Sequence, residues 1–374
     1  MRRHGVNRRR MYALATGGNP VQRESQEFLE RLMATISPSG YEDEAARVWR
    51  AEAEKFAAEV YVDAHGNAIA VVNPGGSPRV MLAGHMDEIG FTVTHIDEHG
   101  FLHFAPIGGW DPQIAQGQRV TIRTKNGPVR GVLGKKAVHL LTEEERHKVV
   151  KLEDMWIDIG AASADEAKSL VQIGDPVVLA WGFELLRNNL AVSRGLDDKA
   201  GAFVVLEAAR ILARLRPQAA VYAVATVQEE VGLRGATTAT YDIAPQVAIA
   251  VDVGHATDSP GMGNAKNMGE AKLGEGAIIS RGPNINPKLF DLMVSAADAE
   301  GIKYQIKAAP RGTGTDANAM QLIRGAKAAG LVSIPNRYMH SPVEIVSLDD
   351  LESCYRILAA TVMRIGPDTS FVPW

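Results

Sequence analysis

The segment Val221 to Glu230, VYAVATVQEE, restricts the possible folds more than any other part of the sequence. Its apolar residues are typical of a strand buried inside a sheet, yet it ends on two adjacent carboxylates with no lysine or arginine next to them. An isolated buried carboxylate is costly unless it is paired, protonated or bound to a metal ion. The sequence therefore requires a source of positive charge near Glu229 and Glu230.

The pattern of apolar segments predicts an α/β fold, a mixed sheet flanked by helices, that is interrupted by a small β-barrel or sandwich. Helical and strand-like segments alternate before about residue 90 and after about residue 190. Between them, short strand-like runs are separated by Gly, Pro and the hairpin signal Asn126-Gly127. We expect one α/β domain from residues 23–90 and 181–374, with a β-rich domain of residues 91–180 inserted into it. In the last predicted helix, Ser347 and Asp350 have the spacing of a capping box.

Composition and charge exclude several classes of protein. The formal net charge of −4 implies no general affinity for nucleic acid, and the absence of a long apolar run excludes a transmembrane helix. The single cysteine, Cys354, permits no intrachain disulfide and fits a cytoplasmic location. Residues 1–22 begin with an arginine-rich stretch that lacks the apolar part of a secretory signal. We interpret them as a basic, disordered tail, or as an extension before a true start at Met11.

Acidic and imidazole side chains follow the ends of several predicted strands and precede one predicted helix. They are His85, Asp87, Asp197, Asp198, Glu229, Glu230, Asp252 and His340. In open α/β sheets, ligands bind at the carboxyl ends of strands, so we expect most of these side chains to converge on one site. Asp198 is also well placed as a helix cap.

These residue types are typical of a site for two divalent metal ions. Imidazole and carboxylate ligands without a thiolate suit zinc or cobalt, with manganese as an alternative, and one carboxylate can bridge two ions. The ligands we expect are His85, Asp197, Glu230, Asp252 and His340. Three carboxylates do not neutralise two divalent ions, and the excess positive charge favours a hydroxide ligand. Glu229 is then available as the general base and acid, and Asp87 can orient the ring of His85.

Six motifs, HMDEIG, GLDDKAG, EEVGLRGA, VDVGHATDSPG, GTGTDANAMQ and HSPVE, occur in this order along the chain. They resemble the motifs of the tetrahedral aminopeptidases, family forty-two of the metallopeptidases. That family includes glutamyl aminopeptidases and proteins labelled endoglucanase or cellulase M. The resemblance extends from about Glu24 to the final helix.

The resemblance implies a role for each candidate residue. One metal ion would be bound by His85, Asp197 and Asp252, and the other by Asp197, Glu230 and His340, with Asp197 as the bridge. Glu229 would be the catalytic base and Asp87 its supporting acid. Lys199 stands where the family often has Arg. We expect this difference to alter the packing beside Asp197 and not to affect contacts with the metal ions.

The resemblance also implies how the protein assembles and what it binds. The α/β domain would be catalytic, the inserted domain of residues 91–180 would form dimers, and dimers would assemble into hollow tetrahedral dodecamers that admit only peptides. The segments SRGPNINP and VGHATDSPG resemble substrate-side loops of the family, which makes Arg281, His255 and Asp258 candidates for a specificity pocket. Turns that use Gly and Pro explain the same two segments equally well.

The resulting prediction is a metal-dependent aminopeptidase, and other functions stay open. An N-acyl amino acid deacylase or carboxypeptidase of the related dinuclear fold would use the same ligands. A glycosidase of the endoglucanase type needs only two carboxylates, but it leaves His85 and His340 without a role. A peptide-binding scaffold would not need Glu229. The segment GTGTDA imitates a dinucleotide fingerprint, yet no acid follows at the required distance.

Overall fold

The computed structural model describes residues 23–262 and 265–374. Residues 1–22, for which the sequence predicts a basic tail, lie outside the described residues. The chain forms a large α/β core and a separate small β core. No helix in the described ranges combines the length and apolar character that crossing a membrane would require.

The elements follow the order that the sequence predicts. The first α/β segment contains α1 (Arg23–Met33), α2 (Asp43–Ala53), β1 (Glu59–Val62), β2 (Ala68–Val72) and β3 (Arg79–His85). The β-rich segment contains β4 (Gly90–Ile96), β5 (Leu102–Ile107), α3 (Pro112–Ala115), β6 (Arg119–Thr124), β7 (Gly127–Gly134), α4 (Glu143–Arg146), β8 (Trp156–Asp158), α5 (Ala164–Leu170) and β9 (Pro176–Leu179). The second α/β segment begins with β10 (Glu184–Leu185), β11 (Leu190–Ser193), α6 (Leu196–Leu215), β12 (Ala220–Thr226), α7 (Arg234–Ile243), β13 (Val247–His255) and α8 (Ala265–Met268). It ends with β14 (Ala277–Arg281), α9 (Pro287–Glu300), β15 (Tyr304–Ala308), α10 (Asp316–Met320), β16 (Ala328–Asn336), β17 (Glu344–Ser347) and α11 (Leu348–Val362).

The α/β core is built on an eight-stranded mixed sheet in the order β1-β2-β12-β3-β13-β16-β14-β15. The four central strands β12, β3, β13 and β16 are parallel to one another, so their carboxyl ends lie at one edge. β13 and β16 are buried almost throughout, as expected for central strands covered on both faces. The mixed α/β sheet that the sequence predicts is confirmed.

The helices cover the sheet with apolar faces. In α1, Phe28, Leu29 and Leu32 recur at helical spacing and are fully buried, and the Phe28 ring lies 5.7 Å from that of Phe203 in α6. Burial of each large apolar side chain stabilises the fold by about 1.5–3 kcal/mol. α6 is buried along most of its length because it packs on the centre of the sheet, where it fixes the position of its first residues.

The β-rich segment closes into a six-stranded barrel in the order β4-β5-β8-β7-β6-β9. Closure leaves the barrel without an unpaired edge, which stabilises a small sheet. In its core, the buried Phe91 ring lies 4.9 Å from that of Phe104 and 4.4 Å from that of Trp110. The predicted barrel is confirmed, while its limits at residues 91–180 and its role in dimer formation stay predictions.

The capping box predicted at the start of α11 is wrong. Ser347 makes no side-chain capping bond because it ends β17, where antiparallel pairing with β11 sets its backbone. The Asp350 carboxylate accepts hydrogen bonds from the backbone N–H groups of Gly274 (2.8 Å) and Gly276 (2.7 Å) instead. Asp350 therefore holds the loop before β14 against α11.

Candidate metal centre

The candidate site lies at the carboxyl edge of the four parallel strands. His85 is the last residue of β3, Asp252 lies in β13, and His340 follows β16. Glu229 and Glu230 follow β12. Asp197 enters from the start of α6, where its backbone is still non-helical, so its carboxylate lies over this edge. Every predicted ligand, together with Asp87 and Glu229, is brought to one place.

Asp197 lies between the two histidines. Its Oδ1 is 3.3 Å from His85 Nε2, and its Oδ2 is 3.3 Å from His340 Nε2. His340 Nε2 is also 3.2 Å from Glu230 Oε1. A carboxylate that offers one oxygen to each of two imidazoles has the geometry of a ligand that bridges two ions.

The described residues contain two groups of side chains whose donor atoms lie within 4.8 Å of one another. One group is His85, Asp197 and Glu230, and the other is His85, Glu229 and Asp252. Glu229, the expected base, is thus as close to His85 and Asp252 as a ligand would be. Geometry alone does not separate ligands from base here, so these roles stay predictions.

Backbone carbonyls orient both imidazole rings. His85 Nδ1 lies 3.1 Å from the carbonyl oxygen of Asp87, and His340 Nδ1 lies 2.8 Å from that of Gly109. A ring whose Nδ1–H donates to a carbonyl presents an unprotonated Nε2 to the site, as a metal ligand must. Gly109 belongs to the loop after β5, so the barrel takes part in positioning His340.

Asp87 holds the turn that carries the two glutamates. Its buried carboxylate accepts hydrogen bonds from the backbone N–H groups of Glu229 (3.1 Å) and Glu230 (3.2 Å) and from the hydroxyl of Ser39 (2.7 Å). Its Oδ1 is 3.4 Å from His85 Nδ1. Asp87 therefore positions the glutamates as well as the His85 ring. The residue pattern predicted its contact with His85, and the family resemblance implied its support of Glu229.

Glu344 is a functional candidate that sequence reasoning missed. Its carboxylate accepts hydrogen bonds from the backbone N–H groups of Asp197 (2.8 Å) and His340 (3.0 Å), and it is buried. The sequence contained a signal for this residue, because Glu344 is the last residue of the HSPVE motif.

Asp198 was expected as a helix cap. Its carboxylate accepts hydrogen bonds from the backbone N–H groups of Gly201 (3.0 Å) and His85 (3.2 Å).

The carboxylates are too close together for all of them to carry charge unless positive charge is added. Burial raises the pKa of Glu229 to about 10, with Asp252, Asp316 and Glu230 adding to the effect and His85 opposing it. Burial likewise raises the pKa of Asp252 and of Glu230. Hydrogen bonds to Asp197 and Glu230 raise the pKa of His340 to about 11.

The donor set therefore fits divalent cations. In the described part of the chain, the ion-pair partners of Asp197, Glu229 and Glu230 are His85 and His340 alone, with no lysine or arginine among them. Two imidazoles and several carboxylates without a thiolate suit zinc, cobalt or manganese. Such ions would supply the charge that otherwise only protons can provide.

A cavity of about 550 Å³ opens above the site. His255 lines it, together with Ser280, Lys307 and Arg311. Arg281 is not part of the lining, because alternation along β14 turns Ser280 inward and places the Arg281 guanidinium 5.2 Å from the ring centroid of Phe290.

Asp258 is also absent from the cavity lining. Its carboxylate is paired with the guanidinium of Arg337 at 2.8 and 2.6 Å. Of the three residues predicted for the substrate pocket, the structure thus brings only His255 to the cavity.

Comparisons with known proteins agree with this arrangement. A family model described as M42 glutamyl aminopeptidase matches residues 66–357. The lysyl aminopeptidase of Pyrococcus furiosus is 37% identical over 344 residues, which cover 91% of this chain and 97% of that protein.

Two solved structures are similar over nearly the whole chain. A TET aminopeptidase from a marine sediment archaeon of the Thaumarchaeota has a TM-score of 0.86 at 36% identity, covering 92% of this chain and 98% of that one. The TET1 peptidase of Pyrococcus horikoshii, described as able to assemble into a tetrahedron or a large octahedral shell, has a TM-score of 0.81 at 34% identity. That likeness covers 91% of this chain and 100% of the TET1 chain.

Proposed function

The chain belongs to the M42 family of glutamyl aminopeptidases, and from this premise we propose that it removes N-terminal residues from peptides at a site for two divalent metal ions. It is a hydrolase that acts on peptide bonds. The observation that carries the proposal is Asp197, whose two oxygens each lie 3.3 Å from the Nε2 atom of a different histidine.

The proposed ligands form two sets that share Asp197. One set is His85, Asp197 and Asp252, and the other is Asp197, Glu230 and His340. The second set is supported by the contacts of His340 Nε2 with Asp197 and Glu230. Zinc or cobalt suits these donors best, and manganese is the alternative.

Bound ions would polarise the scissile carbonyl and lower the pKa of the attacking water. Glu229 lies beside the proposed ligands His85 and Asp252, and the hydrogen bond from its backbone N–H to the Asp87 carboxylate holds it there. Its carboxylate would take the proton from the water and deliver it to the amine that leaves. Burial and neighbouring acids raise the pKa of Glu229, and the positive charge of two divalent ions would lower it again, so that the carboxylate could accept the proton of the water.

Glu229→Gln tests this role. We expect turnover of aminoacyl anilides to fall about 100-fold or more, while metal content measured by mass spectrometry stays at the wild-type level. Glu184→Gln, at an exposed glutamate in β10, is the matched control. Near wild-type turnover in the Glu229 variant would show that another group moves the proton.

A chelator and a choice of substrates separate the alternative functions. EDTA should abolish hydrolysis of free-amine peptides, whereas a metal-free glycosidase would keep working. An N-acyl amino acid deacylase would prefer N-acylated peptides to the same peptides with a free amine. That preference would contradict aminopeptidase activity.

We further propose that barrels of two chains pair and that dimers assemble into a tetrahedral dodecamer in the cytoplasm. The assembly of the similar TET1 peptidase supports the dodecamer. Exposed apolar side chains in the β-rich segment, Val138, Leu140 and Val149, support pairing there. The single, buried, free Cys354 is consistent with a reducing compartment. The mass in solution tests the assembly, and a monomer would contradict it.

A further inference from the structure

The turn of residues 228–230, called here the glutamate turn, lies between two cavities. Glu229 and Glu230 line the cavity above the metal centre, whereas Gln228 lines a second cavity of about 420 Å³. Among the residues that the structure describes, none lines both cavities. Because open space adjoins the glutamate turn at both cavities, its position depends on hydrogen bonds to its backbone as well as on packing.

Gln228 has a backbone conformation that needs support from its surroundings. Its φ of 55° lies in the left-handed region that favours glycine, and a residue with a Cβ atom stays there only where neighbouring contacts hold it. The Gln228 N–H donates a hydrogen bond to Oε1 of Glu42 at 3.1 Å. The next two N–H groups, of Glu229 and Glu230, donate to Asp87. Three consecutive N–H groups of the glutamate turn are thus bound by two buried carboxylates.

Glu42 is itself fixed in place, immediately before the first residue of α2. It is 7% exposed, and its Oε1 also accepts a hydrogen bond from the backbone N–H of Gly40 at 2.7 Å. Burial, followed by the charge of Asp87, raises the pKa of Glu42 to about 7. A proton can reside on Oε2 while Oε1 keeps both hydrogen bonds, so the contact with Gln228 does not require a charged carboxylate.

We propose that Glu42 is a positioning residue, which fixes Glu229 for proton transfer by holding the backbone N–H of Gln228. It acts through this hydrogen bond rather than through its charge. Bound ions would restrain Glu230 as a ligand, whereas Glu229 as general base depends on the backbone for its position. A misplacement of about 1 Å can cost about 100-fold in rate. This inference rests on the proposed aminopeptidase function and adds a residue outside the proposed ligands and base.

Three variants separate the hydrogen bond from the charge. Glu42→Gln keeps an oxygen acceptor without the charge, Glu42→Asp keeps the charge on a shorter side chain, and Glu42→Met fills similar space without an oxygen. We expect kcat for aminoacyl anilides to fall about 10-fold or more in Glu42→Met and Glu42→Asp, and to stay within about threefold of wild type in Glu42→Gln. KM and the metal bound per chain should change by less than about twofold in all three variants.

Hydrogen exchange gives a readout that does not depend on activity. In the metal-loaded, full-length protein, the amide of Gln228 should exchange about 10-fold faster in Glu42→Met than in wild type, and near the wild-type rate in Glu42→Gln. Glu52→Met is the control, at another buried glutamate of the α2 region. The ion pairs of Glu52, with Arg31, Lys55 and Arg210, do not involve the glutamate turn. Glu52→Met should leave kcat and the exchange at Gln228 unchanged.

Three results would overturn the inference while aminopeptidase activity stands. Equal losses of kcat in Glu42→Gln and Glu42→Met would show that the charge of Glu42 matters rather than its hydrogen bond. Wild-type kcat in Glu42→Met would show that Glu229 does not depend on Glu42. A fall in kcat that only matches a loss of bound metal would show that Glu42 acts on the ligands. Failure of the wild-type protein to hydrolyse any free-amine peptide would instead refute the proposed function, and the exchange rates would still test the contact of Glu42 with Gln228.

Discussion

Replacing Glu88 by Gln should destabilise the protein by about 3 kcal/mol, because it leaves two buried cations without their shared anion. The Glu88 carboxylate forms ion pairs with the Arg194 guanidinium and with Lys199 Nζ, the latter at 2.8 Å. Both cations also donate to the carbonyl oxygen of Thr35, at 3.0 and 3.1 Å. Glu88 and Lys199 are buried completely or nearly so, at 2% and 0% exposure, which removes most screening by solvent.

The magnitude follows from the shifted pKa values. Burial alone would raise the pKa of Glu88, but Arg194 and Lys199 lower it from 4.5 to about 2. At about 1.4 kcal/mol per pKa unit, its charged form is favoured by roughly 3 kcal/mol. Burial lowers the pKa of Lys199 to about 8 even with Glu88 beside it. Without Glu88, Lys199 can lose its proton near neutral pH, which limits the loss to the lower part of the usual range of about 3–5 kcal/mol.

Guanidinium unfolding at fixed protein and metal concentrations, followed by circular dichroism, measures the loss. Lys199→Met is the control. It leaves Glu88 and Arg194 as a one-to-one pair, so we expect a change of no more than about 1 kcal/mol. Glu88→Gln combined with Lys199→Met should recover part of the stability, because only one cation then lacks an anion.

The pH dependence gives a second readout with a defined sign. The folded pKa of Glu88 lies below its ordinary value of 4.5, so its contribution is complete above about pH 4.5. It is lost as the pH falls towards 2. The difference between wild type and Glu88→Gln should therefore narrow below pH 4.5. A loss under about 1 kcal/mol at pH 7, or a difference that is constant down to pH 3, would refute this reasoning.

Two further predictions concern the metal centre. Asp87→Asn should lower kcat or metal affinity by about 10- to 100-fold. The amide of asparagine has one oxygen, whereas the two carboxylate oxygens of Asp87 each accept a hydrogen bond, from the backbone N–H groups of Glu229 and Glu230. Wild-type kinetics and metal content in this variant would contradict the role of Asp87. Asp197→Ala should lose bound metal as well as activity, measured by mass spectrometry against Asp165→Ala at a position outside the site. Normal metal content in the Asp197 variant would show that this carboxylate is not a bridge.

Local patterns in the sequence accounted for most of the architecture and for the proposed metal ligands. Short apolar runs separated by turn residues predicted the six barrel strands, because each strand must bury one face whatever its partners are. The carboxylates and imidazoles could be recognised because they end apolar strands, where few of them can be solvated. Asp197, expected just before a helix, enters the site from the start of α6 as that position requires.

Local sequence patterns did not predict the contacts between segments that are distant along the chain. Ser347 and Asp350 have the spacing of a capping box, yet Asp350 binds a loop more than seventy residues earlier in the chain. Arg281 and Ser280 are adjacent in sequence, and only the packing of β14 against α9 determines which of them faces the cavity.

The sequence by itself determined the strand and helix pattern and the residue types that gather at strand ends. The tertiary structure decided which groups complete the centre, such as the Gly109 carbonyl that orients His340 and the Glu344 carboxylate that holds Asp197. It also decided that Lys307 faces the cavity. The physical reason is that hydrophobic periodicity is set by neighbours along the chain, whereas these contacts depend on the order of strands in the sheet and on where the barrel meets it.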